Sequence, residues 1–324
     1  MPIMLRSSWR YGAGLALALG CAPALAQDIG SGTLDDRVVF SASIGAMNLQ
    51  ANEFVFDGNH TLSQLTWQST APVLRSGAVV QLGNGFTLKA EGALALSGSS
   101  YMEDYDWQDY DGAGPFVPGD GPDDWTDRSQ HPDTQLDYFA SASAALGYDL
   151  VRGEAGSINL NGGLQYSDVQ WTASGGSALY STGGFRNNSF DIPAGPAATY
   201  RQQLPSVFAG VDGQMDNGRL HLGGMLRAGV TVFGRSTDEH WQRDLRFSDA
   251  LNIAPTLAIG ANAAFDLGPT SQVFLAARYN QVFTTRATSD VRDTNTGALV
   301  FHGSNSGGLD LRTIDITAGL KASF

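Results

Sequence analysis

Along the last eleven residues of the chain, every second residue is apolar. Ile314, Ile316, Ala318, Leu320, Ala322 and Phe324 alternate with Asp315, Thr317, Gly319, Lys321 and Ser323. Successive side chains on extended backbone point to opposite sides, so a period of two marks a strand with one apolar and one polar face. The same alternation runs through Leu220, Leu222, Gly224, Leu226, Ala228, Val230 and Val232, opposed by His221, Met225, Arg227 and Thr231. It recurs at Phe86, Leu88, Ala90, Gly92, Leu94 and Leu96, opposed by Thr87, Lys89 and Glu91. Extended along the chain, the pattern predicts ten strands, at 37–56, 61–81, 86–106, 136–149, 158–175, 199–212, 219–235, 245–266, 272–290 and 311–324. An even number is what a closed single-chain antiparallel barrel requires.

The connections follow a rhythm. Gly83-Asn84-Gly85, Arg152 to Gly156, Asp216-Asn217-Gly218 and Leu267-Gly268-Pro269 are tight, whereas Met102 to Gln135, Gly176 to Ala198, Ser236 to Arg246 and Val291 to Gly308 are long. Short turns on one side and long loops on the other are the pattern of outer-membrane barrels. The predicted fold is therefore all-β: a ten-stranded antiparallel transmembrane β-barrel. Many strands exceed the length needed to cross a bilayer, so the barrel is expected to extend above the outer membrane.

Composition sharpens this. Arg6 and Arg10, the apolar run Gly12 to Gly20 and the small-x-small site Ala24-Leu25-Ala26 read as a signal peptide over 1–26, with the mature barrel at 27–324. The single cysteine, Cys21, falls inside that leader, so no disulfide is expected. No later stretch is long and apolar enough for a transmembrane helix, and alternating barrel strands keep mean hydropathy near neutral. The formal net charge is −13, more negative by two once Arg6 and Arg10 leave with the signal. That excludes a nucleic-acid partner, which needs a basic surface, and favours cationic peptides or proteins.

Functional groups concentrate between Tyr101 and Tyr138, which hold ten aspartates, one glutamate, two tryptophans and a histidine. Ser236-Thr237-Asp238-Glu239-His240-Trp241 answers it from a later hairpin. Asp104 and Asp106 are two apart, as are Asp238 and His240, so on extended chain each pair aims two groups at one place. A carboxylate beside an imidazole fixes its tautomer and raises its basicity, and two close carboxylates can share a proton and hold a water. Together the four could activate water against a carbonyl without a covalent nucleophile. One obstacle is parity. The even positions lower in both strands carry the lipid-type apolar residues, and all four candidates are even. A bulge or kink is expected at Gly98-Ser99-Ser100 and at Gly234, turning the even positions inward.

Read alone, an acidic run is a solvated loop or a loose calcium site, and this one lacks EF-hand spacing. His131 reads as a structural hydrogen-bond partner, Arg186 as a loop-ordering ion-pair partner, and Trp107 and Trp125 as rim aromatics.

The Asp-x-Asp-Trp of Asp104 to Trp107, Trp125-Thr126-Asp127, the run His131 to Leu136, Gly184-Phe185-Arg186, Asp238-Glu239-His240 and Thr317 to Lys321 resemble, in order and rough spacing, the omptin family of outer-membrane proteases. The resemblance covers nearly the whole mature chain. It implies a ten-stranded barrel with an extracellular groove, where water is activated between an aspartate pair (Asp104, Asp106) and an aspartate–histidine dyad (Asp238, His240). It further implies cleavage next to basic residues, with Glu53 lining the pocket for the residue before the cut and Asp127 near the other side. The family's second acidic pocket residue falls on Ser236, so the basic preference is expected to be altered. No cofactor is implied beyond lipopolysaccharide, a lipid activator that the family holds with wall arginines. Asp168 and Gln203 stand at those positions here. A monomer is expected. The rival readings are a non-enzymatic barrel, an adhesin or a proteolytically silent relative, kept open by Ser236; a narrow porin, which ten strands disfavour; and a lipid-modifying barrel enzyme, for which the sequence offers no serine–histidine arrangement facing the membrane.

Overall fold

The computed structural model describes residues 38–108 and 123–324; the expected leader over 1–26 and the start of the mature chain lie outside them. Among the described residues, thirteen strands form one antiparallel sheet: β1 (Val38–Asp57), β2 (His60–Gly83), β3 (Phe86–Ala95), β4 (Ser99–Asp106), β5 (Asp127–Gly153), β6 (Gly156–Tyr180), β7 (Asn188–Asn217), β8 (Leu220–Thr231), β9 (Arg235–His240), β10 (Leu245–Leu251), β11 (Ala254–Gly268), β12 (Ser271–Asp293) and β13 (Leu299–Ser323). β1 pairs with β2 on one side and with β13 on the other, from Val39↔Ser323 to Val55↔Gly307. The sheet therefore closes, and no long edge is left to template aggregation. β3 with β4, β8 with β9, and β11 with β10 each form a single wall interrupted by a short break, which leaves ten walls.

Two features differ from the sequence expectation. Strand 136–149 begins nine residues earlier, at Asp127, and strand 199–212 spans Asn188–Asn217. The long loops expected over 176–198, 236–246 and 291–308 are largely strand, leaving connections at 181–187, 241–244 and 294–298, and the one expected over 102–135 gives its ends, 102–106 and 127–135, to strand. Above the bilayer both faces of a strand are wet or lined by polar groups, so the apolar alternation vanishes while the backbone ladder continues. Pro193 and Pro196 lie in β7 at its register shift against β6, where a missing N–H costs least.

The lower walls turn apolar residues outward. Ile44, Leu164, Leu275, Ile316 and Leu320 are each more than half exposed, which places them against lipid. Phe86 with Tyr148 and Phe40 with Phe324 meet edge-on at the lower rim. Inside, charges are paired across the lumen. Glu91 of β3 accepts from Arg227 of β8 at 2.8 Å and Arg278 of β12 at 3.0 Å, and Arg75 makes a two-pronged bond with Asp315. Buried charges tolerate the low dielectric only when paired in this way. Above this layer lies an apolar floor in which Trp67 stacks on Tyr200 with ring centroids 5.7 Å apart and leans on Trp171 at 6.2 Å. Trp171 Nε1 donates to Ser69 Oγ at 2.8 Å.

Candidate active site

The two expected breaks are present. Ser97 (φ 61°) and Gly98 (φ 154°) separate β3 from β4, and Phe233 (φ 55°) with Gly234 separates β8 from β9. Each switches parity. In β3 the buried residues are odd (Thr87, Ala93, Ala95), whereas in β4 they are even (Met102, Asp104). In β8 they are Arg227 and Thr231, and in β9 Ser236 and Asp238. The third break, at Asn252 and Ile253, does the same between β10, where Asp249 is buried, and β11, where Ala254 and Ala258 are. β1 needs no switch, because Leu49, Ala51 and Glu53 continue one inward face. Register then sets the site. Glu53 pairs with Leu65 and Leu65 with Asp104, so both acids share one rung of β1, β2 and β4. On the facing wall Asp238 lies between Tyr200 of β7 and Phe247 of β10.

Between the walls is a cavity of about 650 Å³, in the part of the barrel above the lipid-facing belt. Asp104, Asp106, Asp238, His240, Glu53 and Asp127 all line it. Ser236 does not; it is buried, and its hydroxyl donates to Asp249 Oδ2 at 3.2 Å. Asp238 is 1% exposed and sets Oδ2 2.6 Å from His240 Nε2. His240 Nδ1 has no hydrogen-bond partner among the described residues. Ser63 Oγ donates to Asp104 Oδ1 at 3.0 Å. Asp127 accepts from the Ser181 backbone at 2.7 Å and from Thr126 Oγ1 at 3.0 Å.

Burial dominates the acid–base chemistry. It pushes Asp104 up to about 8, helped by the neighbouring Asp106 and opposed by His240, Ser63 and Arg243. Asp106 rises to about 6 through burial, moderated by hydrogen bonds from Ser63 and Gln108 and by the Arg243 charge. Burial also raises Glu53 well above the usual carboxylate range, with Asp238, Asp249 and Asp104 adding to it. For His240, burial disfavours the charged form, but the field and hydrogen bond of Asp238 overcome it and the pKa ends raised. Acids held protonated beside an imidazole held basic are a configuration suited to general acid–base work.

The supporting residues mostly take the expected places. His131 is buried, with Nε2 3.1 Å from Ser129 Oγ and Nδ1 2.5 Å from Gly175 O, as a structural partner. Trp125 is nearly buried rather than a rim aromatic, and Arg186 lies 3.5 Å over its ring. Arg186 orders its loop by donating to the carbonyls of Trp125 and Asp123; among the described residues it makes no ion pair of the kind expected of it. On the wall, Asp168 binds Arg201 Nε at 2.9 Å, and Gln203 Nε2 donates to Tyr166 Oη. Most of the acidic stretch, 109–122, lies outside the described residues. Sequence reasoning missed Asp249, Ser63, Gln108 and Arg243. None sits in a motif, and each reaches the site only through register or a turn. Among the described residues, no three of His, Cys, Asp or Glu gather as a metal site would.

Residues 34–324 match the model of the omptin family. Over 294 residues the chain is 26% identical to the plasminogen activator of Yersinia pestis, covering 89% of this chain and 90% of that protein. It is 27% identical over 298 residues to protease 7 of Escherichia coli K12, covering 89% and 91%. Its fold superposes on the crystal structure of the outer membrane protease OmpT from Escherichia coli with a TM-score of 0.82 and 24% identity, over 92% of this chain and 99% of that one. A closed barrel with a lipid-facing belt, taken with this kinship, makes the chain a bacterial outer-membrane protein.

Proposed function

The chain belongs to the omptin family, and on that premise we propose that it is an outer-membrane endopeptidase cleaving peptides or proteins next to basic residues, acting as a monomer from the extracellular face. The observation that carries the proposal is the meeting of Asp104 and Asp106 with Asp238 and His240 across one cavity. Near neutral pH, Asp106 is ionised and orients a water, while Asp104 keeps its proton. His240 acts in its neutral form, whose share its raised pKa limits near neutral pH; with Nε2 committed to Asp238, it takes a proton from that water through Nδ1 as the oxygen attacks the scissile carbonyl. Asp104 donates a hydrogen bond to the developing oxyanion. When the tetrahedral intermediate collapses, His240 returns the proton to the leaving nitrogen, the C–N bond breaks, and a carboxylic acid and an amine result. Glu53 supplies negative charge for a basic side chain beside the cut, and Asp127 stands on the far side of the cleft.

The test is cleavage of a quenched dibasic peptide by the refolded protein, with and without lipopolysaccharide, beside the His240→Ala variant. Turnover that disappears in His240→Ala supports the mechanism. Equal turnover in both proteins would sink it, and the lipid arm reports whether the activator is needed by a wall that carries Asp168 and Gln203.

A further inference from the structure

Ser236 and Asp249 are direct cross-strand partners, on a rung that runs Gln202, Ser236, Asp249, Ser289 through β7, β9, β10 and β12. Asp249 is 7% exposed. Both its oxygens are engaged by hydroxyls: Ser236 donates to Oδ2 and Ser289 to Oδ1. The place is shaped for a carboxylate, since a Cβ on Gly307 would come within 2.8 Å of Asp249 Oδ1. Yet neither Asp249 nor Glu53 has a cation paired to it among the described residues. A buried carboxylate without a counter-charge is costly, and such a group persists where something else supplies the charge.

The missing partner has a recognisable chemistry. Glu53 Oε2 and Gln202 Oε1 are buried acceptors without a hydrogen-bond donor, and Glu53, 5% exposed, lines the cavity. Glu53 feels the charge of Asp249, and buried Tyr200, which bonds Ser236 and Gln202, feels both. Asp249 does not line the open cavity, but its charge reaches the lining carboxyl of Glu53. Two unmet acceptors and two buried carboxyl groups, which an arriving cation would ionise, suit a planar cation with many fixed donors. A guanidinium offers five N–H groups in a rigid fork, whereas an ammonium is a compact point charge with three.

We propose that Asp249 is a specificity-determining residue: it supplies, in addition to Glu53, the second negative charge that holds the guanidinium of a substrate arginine, delivered from β10 because its neighbour in β9 is Ser236. The proposal rests on the endopeptidase reading but is tested apart from turnover. Fluorescent peptides differing only at the basic position, with arginine, lysine or norleucine, are titrated into the full-length His240→Ala protein in detergent micelles. Asp249→Asn in that background, which keeps the shape and removes the charge, is expected to weaken the arginine peptide about ten- to a hundredfold and the norleucine peptide less than about twofold. The transposed pair Ser236→Asp/Asp249→Ser is expected to keep arginine discrimination within about threefold of the parent, because the charge returns to the same rung. That variant also keeps the proposal testable should Asp249→Asn fail to fold. Equal weakening of all three peptides, no weakening, loss of discrimination in the transposed pair, or no peptide binding by the parent would each overturn it. Discriminating binding together with absent turnover in the unmutated protein would leave the pocket assignment standing and remove the endopeptidase reading.

Discussion

Asp238 Oδ2 lies 2.6 Å from His240 Nε2, and at 1% exposure Asp238 shares its charge with no solvent. The imidazole is therefore oriented and made basic by one carboxylate. Its raised pKa means that catalysis, which needs the neutral ring, fades as pH falls through that value. Asp238→Asn keeps the shape and removes the field. We expect kcat to fall by about a thousandfold, with the acid limb of the residual pH–rate profile moved to lower pH. A limb that stays in place would mean that another group titrates there.

Asp104 gives a prediction about stability. Its folded-state pKa of about 8 lies far above the unfolded value, so the native state holds a proton that the unfolded chain has lost. Its contribution to stability is fully present at low pH and disappears as pH rises through the window from about 4 to about 8. Asp104→Asn abolishes that dependence. The variant should be inactive but more resistant to urea than the parent, by more at pH 8 than at pH 5. A smaller gain at pH 8 would contradict the buried, protonated assignment.

The parity switch bears on how the site is encoded. Gly98 has φ 154°, and a Cβ there would come within 2.5 Å of Thr70 O. Gly98→Ala should strain the break by about 1–3 kcal/mol and misaim Asp104 and Asp106. Activity should drop at least tenfold while the barrel still shows the gel-mobility shift of a folded outer-membrane protein. Full activity would mean that the turn adapts without glycine.

That switch was legible in the sequence, and so were the last strand and the common aim of Asp104 with Asp106 and of Asp238 with His240. In each case alternation or an i, i+2 spacing carries the information locally. That the two distant pairs share one cavity is not local information, and only the family resemblance pointed to it. β5 before Leu136 and β7 before Thr199 were not legible. Above the membrane no apolar solvent forces alternation, and the strands continue past Pro132 and Pro193, where the pairing skips residues. Asp249 was invisible for a different reason. Its meaning lies in facing Ser236 across the sheet, and register between β9 and β10 is set by a turn whose residues say nothing about what will oppose what. Arg186 shows the same limit: its position suggested a loop-ordering role, but its partners proved to be carbonyls that only the folded loop brings near.

Arg243 stands in the exposed turn over 241–244 and lines the cleft beside acids it does not touch. Its charge lowers Asp104, Asp106 and His240 alike. Arg243→Gln therefore lets all three rise. The ionised form of Asp106 and the neutral form of His240 are both needed, so the acid limb of the pH–rate profile should move to higher pH, and turnover should fall more at pH 6 than at pH 8. Removing a positive charge from the mouth should also lower KM for basic peptides. Both effects act through solvent and should shrink as ionic strength rises and the screening length drops to about 8 Å at physiological salt. Paired pH–rate profiles at low and high salt check this. A shift that persists undiminished in high salt would mean that Arg243 contacts the reacting groups directly rather than through its field.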